Sequence, residues 1–379
     1  VTARPTIVLE ALSVREQPTG VAGAVMDLVR ALAARDRGFD FVIAAASPAP
    51  FAEVACVPHW RVVHCPGADS DLRRPWFIQR GLPAFCRGIG ADLLHSLQLV
   101  APARTPCPLV VTVHDLAWRE LPGMVPRSRR LYYGIVVPAG LRRARLLLAS
   151  STETARHLAA DFPGTAPRVR VTPLGTPTWI LEEGEPVAPA PPVRPFLLFV
   201  GTREPRKNLP RLLDAYEKLL AERGDAAPDL RLVGPAGWLM GPLDERLGRP
   251  SLRERVTVQG YCDRPELRRL YETAEALVFP SLSEGFGLPV LEAMACGLPV
   301  LTSNRGALAE VAGDDALLVD PLDVGAMAEA LGRLVADGDL RDRLRRGGPE
   351  RARQWDWART ADLTAAAYEE ILGGPGRRK

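Results

Sequence analysis

Lysine is nearly missing from this chain. Of its 48 basic residues only three are lysine, namely Lys207, Lys218 and Lys379. Arginine is the default cation, so a lysine in a loop flanked by glycine and proline, as at Lys207, stands out as a candidate functional ammonium. No apolar run reaches the roughly 18 residues of a membrane-spanning helix. The opening stretch, VTARPTIVLEALSV, lacks a basic region followed by a long apolar core, and reads as a first strand rather than a signal peptide. The six cysteines, Cys56, Cys65, Cys86, Cys107, Cys262 and Cys296, include no CxxC pair. Neither a zinc site nor a disulfide framework is expected, and a reducing cytoplasm fits best. The net charge of +3 is too small to indicate a nucleic-acid binder. No acidic DxD element offers itself to a metal, and Gly313–Asp315 (GDD) reads as a loop. The glycine loop Pro18–Gly23 (PTGVAG), with Gly20 and Gly23, lacks the full GxGxxG pattern, so it supports no dinucleotide site.

What is present fits a globular chain of two domains. It has 379 residues, 47% hydrophobic and 25% charged. Short apolar runs alternate with amphipathic ones, the pattern of an α/β fold with parallel sheets. In the first half, strands are expected at Thr6–Leu12, Phe39–Ala45, Arg61–His64, Asp92–His95, Leu109–His114, Arg145–Ala149 and Arg168–Val171. Helices are expected at Val21–Arg35 and Leu131–Ala144, with Ser150 and Glu153 as a capping box for a third. Pro177 to Pro195 holds six prolines and resists both helix and sheet, which makes 177–195 a linker. The alternation then restarts, with strands at Phe196–Gly201, Leu230–Val233, Val256–Gln259, Ala276–Phe279, Pro299–Thr302 and Leu317–Val319. A helix follows Asn208, a candidate N-cap. The tail from Leu340 is helical and carries Trp355, Trp357, Leu363, Tyr368 and Ile371.

One stretch carries the chemistry. In SEGFGLPVLEAMACGLPV (Ser283–Val300), Pro289 suits the start of a helix and Gly297 its end. The amides of Gly287, Leu288 and Val290 then point out from a positive helix end, a site suited to phosphate. Gly285 and Gly287 permit close approach of a ligand. A carboxylate stands on each side of this turn, Glu284 and Glu292. Phosphate would be repelled by them, but hydroxyl groups would not. A nucleoside diphosphate-sugar has a sugar at each end of its diphosphate, one for each glutamate. Phe199–Asn208 (FVGTREPRKN) adds Arg203, Arg206 and Lys207 after a strand, where a doubly wound sheet binds ligands. The stretch VVTVHDLAW ends a strongly apolar strand on His114 and Asp115.

Together these residues resemble the retaining GT-B glycosyltransferases of family 4, also called group 1 glycosyltransferases. The resemblance covers nearly the whole chain. Its most specific part is E-x7-E, Glu284 to Glu292, within FPSLSEGFGLPVLEAMACGLPVLTSN; GTREPRKNLPRLLDAY, VTVHDLAW, LVGPAGW and ALLVDP follow the family in order. The resemblance implies two Rossmann-like doubly wound domains facing a central cleft. Residues 1–176 form the N-terminal, acceptor-side domain and 196–352 the C-terminal, donor-side domain. The chain then returns to the first domain near Arg353–Trp357, within 353–379. It implies that Glu292 binds the donor ribose and that Glu284 holds the transferred sugar. Lys207, with Arg203 or Arg206, stabilises the departing diphosphate. The backbone of Gly285, Phe286, Gly287 and Leu288 contacts the donor, Tyr261, Cys262 and Asp263 meet the base, and His114 lies close to the sugar. The loop of Gly20 and Gly23 flanks the diphosphate or the acceptor.

The expected activity is metal-independent, retaining transfer of a hexose such as mannose from a nucleotide sugar to a hydroxyl acceptor. No cofactor is expected; the donor is GDP-mannose or a UDP-hexose. The acceptor class stays open between carbohydrate, lipid-linked sugar and small molecule. Two rival readings exist, a GT-B nucleotide-sugar epimerase and a non-catalytic donor-binding subunit; the E-x7-E pattern disfavours the first and the intact site residues the second. No nucleic-acid partner is expected. Arg127, Arg129, Arg130, Arg142, Arg143 and Arg145 flank Leu131, Tyr132, Tyr133, Ile135 and Val136, a surface for peripheral contact with a membrane's inner face.

Overall fold

Leu109–Val113, apolar but for Thr112, and Phe196–Val200, apolar throughout, suit strands covered on both faces. Both are wholly buried. A computed structural model describes residues 3–16, 20–182 and 194–373. The chain divides into two compact units. One comprises Val1–Leu116, Ser128–Gly175 and Asp356–Lys379; the other comprises Ala117–Arg127 and Thr176–Trp355. Residues 117–127 thus group with the second unit, although the boundary at 176 assigns them to the first. The assignment changes again between Trp355 and Asp356, within the expected return segment.

The first unit is built on a seven-stranded parallel sheet of order β3-β2-β1-β4-β5-β6-β7. Its strands are β1 (Thr6–Glu10), β2 (Asp40–Ala45), β3 (Trp60–His64), β4 (Leu93–Ser96), β5 (Leu109–Val113), β6 (Leu146–Ala149) and β7 (Val169–Val171). The second unit holds a six-stranded parallel sheet of order β10-β9-β8-β11-β12-β13. Its strands are β8 (Phe196–Val200), β9 (Asp229–Val233), β10 (Val256–Gln259), β11 (Ala276–Phe279), β12 (Val300–Ser303) and β13 (Leu317–Val319). Every expected strand is present, with ends moved by at most two residues. Both units are Rossmann-like. Strand order reverses between β1 and β4 in the first and between β8 and β11 in the second, the switch points where such sheets receive ligands.

Within the first unit, the final helix, Trp357–Leu372, packs on the helix Val21–Ala33. Its buried Tyr368 hydroxyl lies 2.6 Å from His95 Nδ1, and His95 Nε2 lies 2.8 Å from Thr112 Oγ1. Burial pushes the His95 pKa down to about 3, so this imidazole is neutral at any ordinary pH.

Three local expectations are corrected. Ser151, not Ser150, caps the helix Thr152–Asp161, accepting from the Thr154 amide at 3.1 Å. Ser150 Oγ instead donates to the carbonyl of His114 at 2.7 Å. Asn208 precedes the helix Leu209–Arg223 but makes no side-chain cap. It is buried in the left-handed region (φ 63°), and its Nδ2 donates to the carbonyls of Pro280 and Pro321 at 3.1 and 2.6 Å. In the proline-rich stretch, Thr178–Leu181 forms a helical turn, because no proline follows Pro177 until Pro186. Residues 183–193 lie outside the described ones.

Candidate functional site

The site grows from the adjacency of β8 and β11. These strands pair in parallel, Ala276 with Leu197 and Leu277 with Leu198, so the loops leaving their carboxyl ends emerge side by side. The loop after β8 carries Arg203, Glu204, Arg206 and Lys207. The loop after β11 carries Ser281, Ser283 and Glu284 and runs into the helix Leu288–Ala295.

Lys207 and Glu284 meet there. Lys207 Nζ donates to Glu284 Oε1 at 2.6 Å, and Arg206 Nη1 donates to Oε2 at 2.6 Å. Ser281 Oγ adds a third donor to Oε1 at 2.6 Å. Arg206 also pairs through Nε with Glu204 at 2.6 Å. Only 8% of either the Lys207 or the Glu284 side chain is exposed, so the pair is largely shielded from water. Burial alone would raise the Glu284 pKa, but Arg206 and Lys207 outweigh it and hold the carboxyl at about 2. Burial, and then Arg206, draw the Lys207 pKa down against the pull of Glu284. The Lys207 ammonium also sits 4.7 Å over the ring of Phe279. Glu284, read from sequence as a hydroxyl acceptor, is here first of all the partner of two cations.

Arg203 is turned elsewhere. Its Nη1 donates to the carbonyls of Gly234 and Gln259 at 2.5 and 3.3 Å, tying together the loops after β8, β9 and β10. Of the two candidate arginines, Arg206 stands in the cluster and Arg203 supports the surrounding backbone.

The turn before the helix has the predicted character. Gly287 has φ 113°, and a Cβ there would come within 2.6 Å of Leu308 Cδ2. Gly297, at φ 67°, ends the helix. Val290 is corrected: its amide bonds to the Gly287 carbonyl at 3.0 Å, and Pro289 has no N–H. The outward amides are therefore those of Gly287 and Leu288. The Phe286 side chain is buried edge-on against Trp355, with ring centroids 5.1 Å apart, so only its backbone is available to a donor.

Glu292 lies farther along that helix, and the hydroxyl of Tyr271 donates to its Oε2 at 2.6 Å. Burial, and then the nearby carboxylate, push the Tyr271 pKa well above its usual range, so the phenol remains a donor. Of the residues expected to meet the base, Tyr261 is 46% exposed and Cys262 is buried, its thiol pushed up to about 11 chiefly by burial. Asp263 caps the helix Arg264–Thr273, accepting from the Glu266 amide at 2.9 Å.

In the first unit, His114 follows β5. Its Nε2 lies 3.0 Å from the carbonyl of Leu97, which requires the proton on that nitrogen. Nδ1 is buried and has no hydrogen-bond partner among the described residues. Burial lowers the His114 pKa, opposed by the Leu97 bond and Asp115, which leaves a neutral ring with an open acceptor. Gly20 (φ 50°) and Gly23 open the helix Val21–Ala33, and a Cβ at either would meet nothing within 4 Å. Pro18 and Thr19 lie outside the described residues. In the helix Arg127–Arg143, Leu131 and Ile135 are 68% and 67% exposed, whereas Val137 and Leu141 are buried. Among the described residues, no helix is long and apolar enough to cross a membrane.

Sequence reasoning missed Ser281 and Tyr271. Both reach the glutamates through packing, and a serine or tyrosine at those positions carries no spacing signal.

A parallel two-unit fold with a cation–carboxylate cluster at a switch point and a helix end beside it is the frame of a nucleotide-sugar enzyme, and the comparisons agree. Residues 183–351 match the family described as "Glycosyl transferases group 1", and residues 18–179 match "Glycosyltransferase Family 4". The chain belongs to this family and is a nucleotide-sugar-dependent glycosyltransferase. It is 33% identical to the O-antigen chain mannosyltransferase B of Escherichia coli, over 69% of this chain and 70% of that one. It is 31% identical to an MMP alpha-(1->4)-mannosyltransferase of Mycolicibacterium hassiacum, over 74% and 71%. In fold it is similar to sucrose-phosphate synthase from Thermosynechococcus elongatus, with a TM-score of 0.76, 24% identity and coverage of 98% and 100%. It is likewise similar to Anabaena Alr3699/HepE, solved in complex with UDP and glucose, with a TM-score of 0.70, 18% identity and coverage of 97% and 100%.

Proposed function

We propose that this enzyme transfers a hexose, mannose or a close relative, from a nucleoside diphosphate-sugar to a hydroxyl acceptor, with retention and without a metal. The observation that carries this reading is the buried Lys207–Glu284–Arg206 cluster beside the helix end at Gly287. The arriving diphosphate takes over Lys207 and Arg206, whose charge offsets that developing on the leaving group. Glu284, released from its cations, accepts hydrogen bonds from hydroxyls of the transferred sugar. Glu292, oriented by Tyr271, accepts those of the ribose.

In the step itself, the bond from the anomeric carbon to the diphosphate oxygen breaks and the acceptor oxygen bonds to that carbon on the same face. The acceptor proton passes to the departing phosphate oxygen. The mannosyltransferases among the relatives support mannose as the transferred sugar, with GDP-mannose as one donor to test; the UDP and glucose bound to a structural neighbour support testing UDP-hexoses as well. Thermal shift with UDP, GDP and ADP, followed by transfer from the matching sugar nucleotide, tests the reading. Stabilisation by one nucleotide and transfer that Glu284→Ala abolishes are expected; stabilisation by none would overturn it. For a lipid-linked acceptor, Leu131 and Ile135 with their flanking arginines supply the membrane contact, and salt-insensitive failure to co-sediment with anionic liposomes would dismiss that part.

A further inference from the structure

The segment Ala117–Arg127 leaves β5 just past His114 yet belongs to the second unit. Side-chain hydrogen bonds help to fasten it there. Trp238 Nε1 donates to the Met124 carbonyl at 2.8 Å, and Ser283 Oγ donates to Glu120 Oε2 at 2.7 Å. Between them the segment is thinly packed. Pro122 and Gly123 are exposed, and Gly123 and Met124 wall an open cavity of about 650 Å³ rather than a core.

Ser283 is the residue next to Glu284, and it is held from two sides. Its carbonyl accepts from Arg206 Nη1 at 2.9 Å, the same nitrogen that holds Glu284 Oε2. Its hydroxyl is held by Glu120. The chain of contacts thus runs from the segment after His114, through Glu120 and Ser283, to the carboxylate and guanidinium at the centre of the site. When a diphosphate draws Arg206 away from Glu284, the Ser283 carbonyl is left with a weaker anchor. Its hydroxyl bond to Glu120 then fixes where the Glu284 backbone sits.

Resting on the function proposed above, we infer that Glu120 is a positioning residue for sugar transfer. It sets the geometry of Glu284 through Ser283 and touches neither phosphate nor sugar. The Trp238–Met124 bond holds the far end of the same strap.

The test is a double-mutant cycle on the full chain, using GDP-mannose or UDP-glucose, whichever the wild type turns over. Glu120→Ala should lower kcat about 10-fold and leave the donor KM and the Kd of GDP or UDP within about twofold. Ser283→Ala should do the same, and the double variant should be no slower than either single one. Glu120→Gln keeps an oxygen that accepts from Ser283, so it should restore kcat to within about twofold. Hydrogen exchange should quicken at residues 119–127 equally in Glu120→Ala and Ser283→Ala. Additive losses, an equal fall in nucleotide binding, or a Gln variant as slow as the Ala variant would overturn the inference. If the wild type turns over neither donor, the functional reading fails first. The strap is then judged by exchange alone, and unchanged exchange in both variants overturns it.

Discussion

Lys207 Nζ and Glu284 Oε1 stand 2.6 Å apart with neither side chain more than 8% exposed. In the function proposed above, the cation that serves the leaving group is held on this carboxylate until substrate arrives. Lys207→Ala should lower kcat about 100-fold to 1,000-fold, the cost of losing one preorganised charge in a water-poor site. It should also lower the melting temperature, because Glu284 keeps only Arg206 and Ser281. Steady-state kinetics and calorimetry on one preparation check both; a slow but fully stable variant would leave the storage role without support.

On the proposed function, Tyr271 and Glu292 serve donor binding rather than the chemical step. Tyr271→Phe removes the hydrogen bond that holds the carboxylate proposed to grip the ribose. The donor KM should rise about 5-fold to 10-fold while kcat stays within about twofold. Titration with the free nucleoside diphosphate should show the same weakening.

A buried carboxyl of the first unit gives a pH signature. Glu10, at the end of β1, is 2% exposed and accepts from the Leu12 amide at 3.0 Å. Burial raises its pKa to about 7, against the Leu12 hydrogen bond and Arg74. An acid whose folded pKa is raised favours folding while protonated. That stability is complete below the unfolded pKa of about 4.3 and is lost as pH climbs through about 7. Glu10→Gln should therefore gain stability over the wild type at pH 8 and little at pH 4, as read by urea unfolding at both pH values.

Glu284 tilts stability the other way. With its pKa held at about 2, it contributes stability above about pH 4.3 that disappears as pH falls through about 2. Glu284→Gln should flatten the acid limb of the unfolding profile between those values, and an unchanged limb would contradict the ion pair.

Gly287 is a backbone requirement. At φ 113°, and with Leu308 Cδ2 2.6 Å from a Cβ there, Gly287→Ala should cost about 1–3 kcal/mol and disturb the helix end proposed to meet phosphate. Thermal melting should fall and nucleotide affinity with it, whereas Gly23→Ala, with open space around it, should leave stability within about 0.5 kcal/mol.

The two sheets could be read from the chain because their strands are continuous apolar runs bounded by glycine, proline and polar residues. The helix end at Gly287–Pro289 was equally legible, since a proline that cannot donate and a glycine at positive φ mark that turn by local sterics alone. Glu284, Glu292 and Lys207 were found by their residue type and loop position. Asn208 and Ser150 misled for one reason: a residue with capping chemistry can be taken by a stronger distant partner, as the Pro280, Pro321 and His114 carbonyls show.

By itself, then, the sequence determined where strands and helices begin, which glycine–proline turn opens a helix, and which loops carry the charged residues. Only the tertiary structure decided who pairs with whom. Lys207 and Glu284 are 77 residues apart, and they meet because β8 lies beside β11. That adjacency is set by sheet order, a property of the whole unit's packing, and no local pattern of residues encodes it.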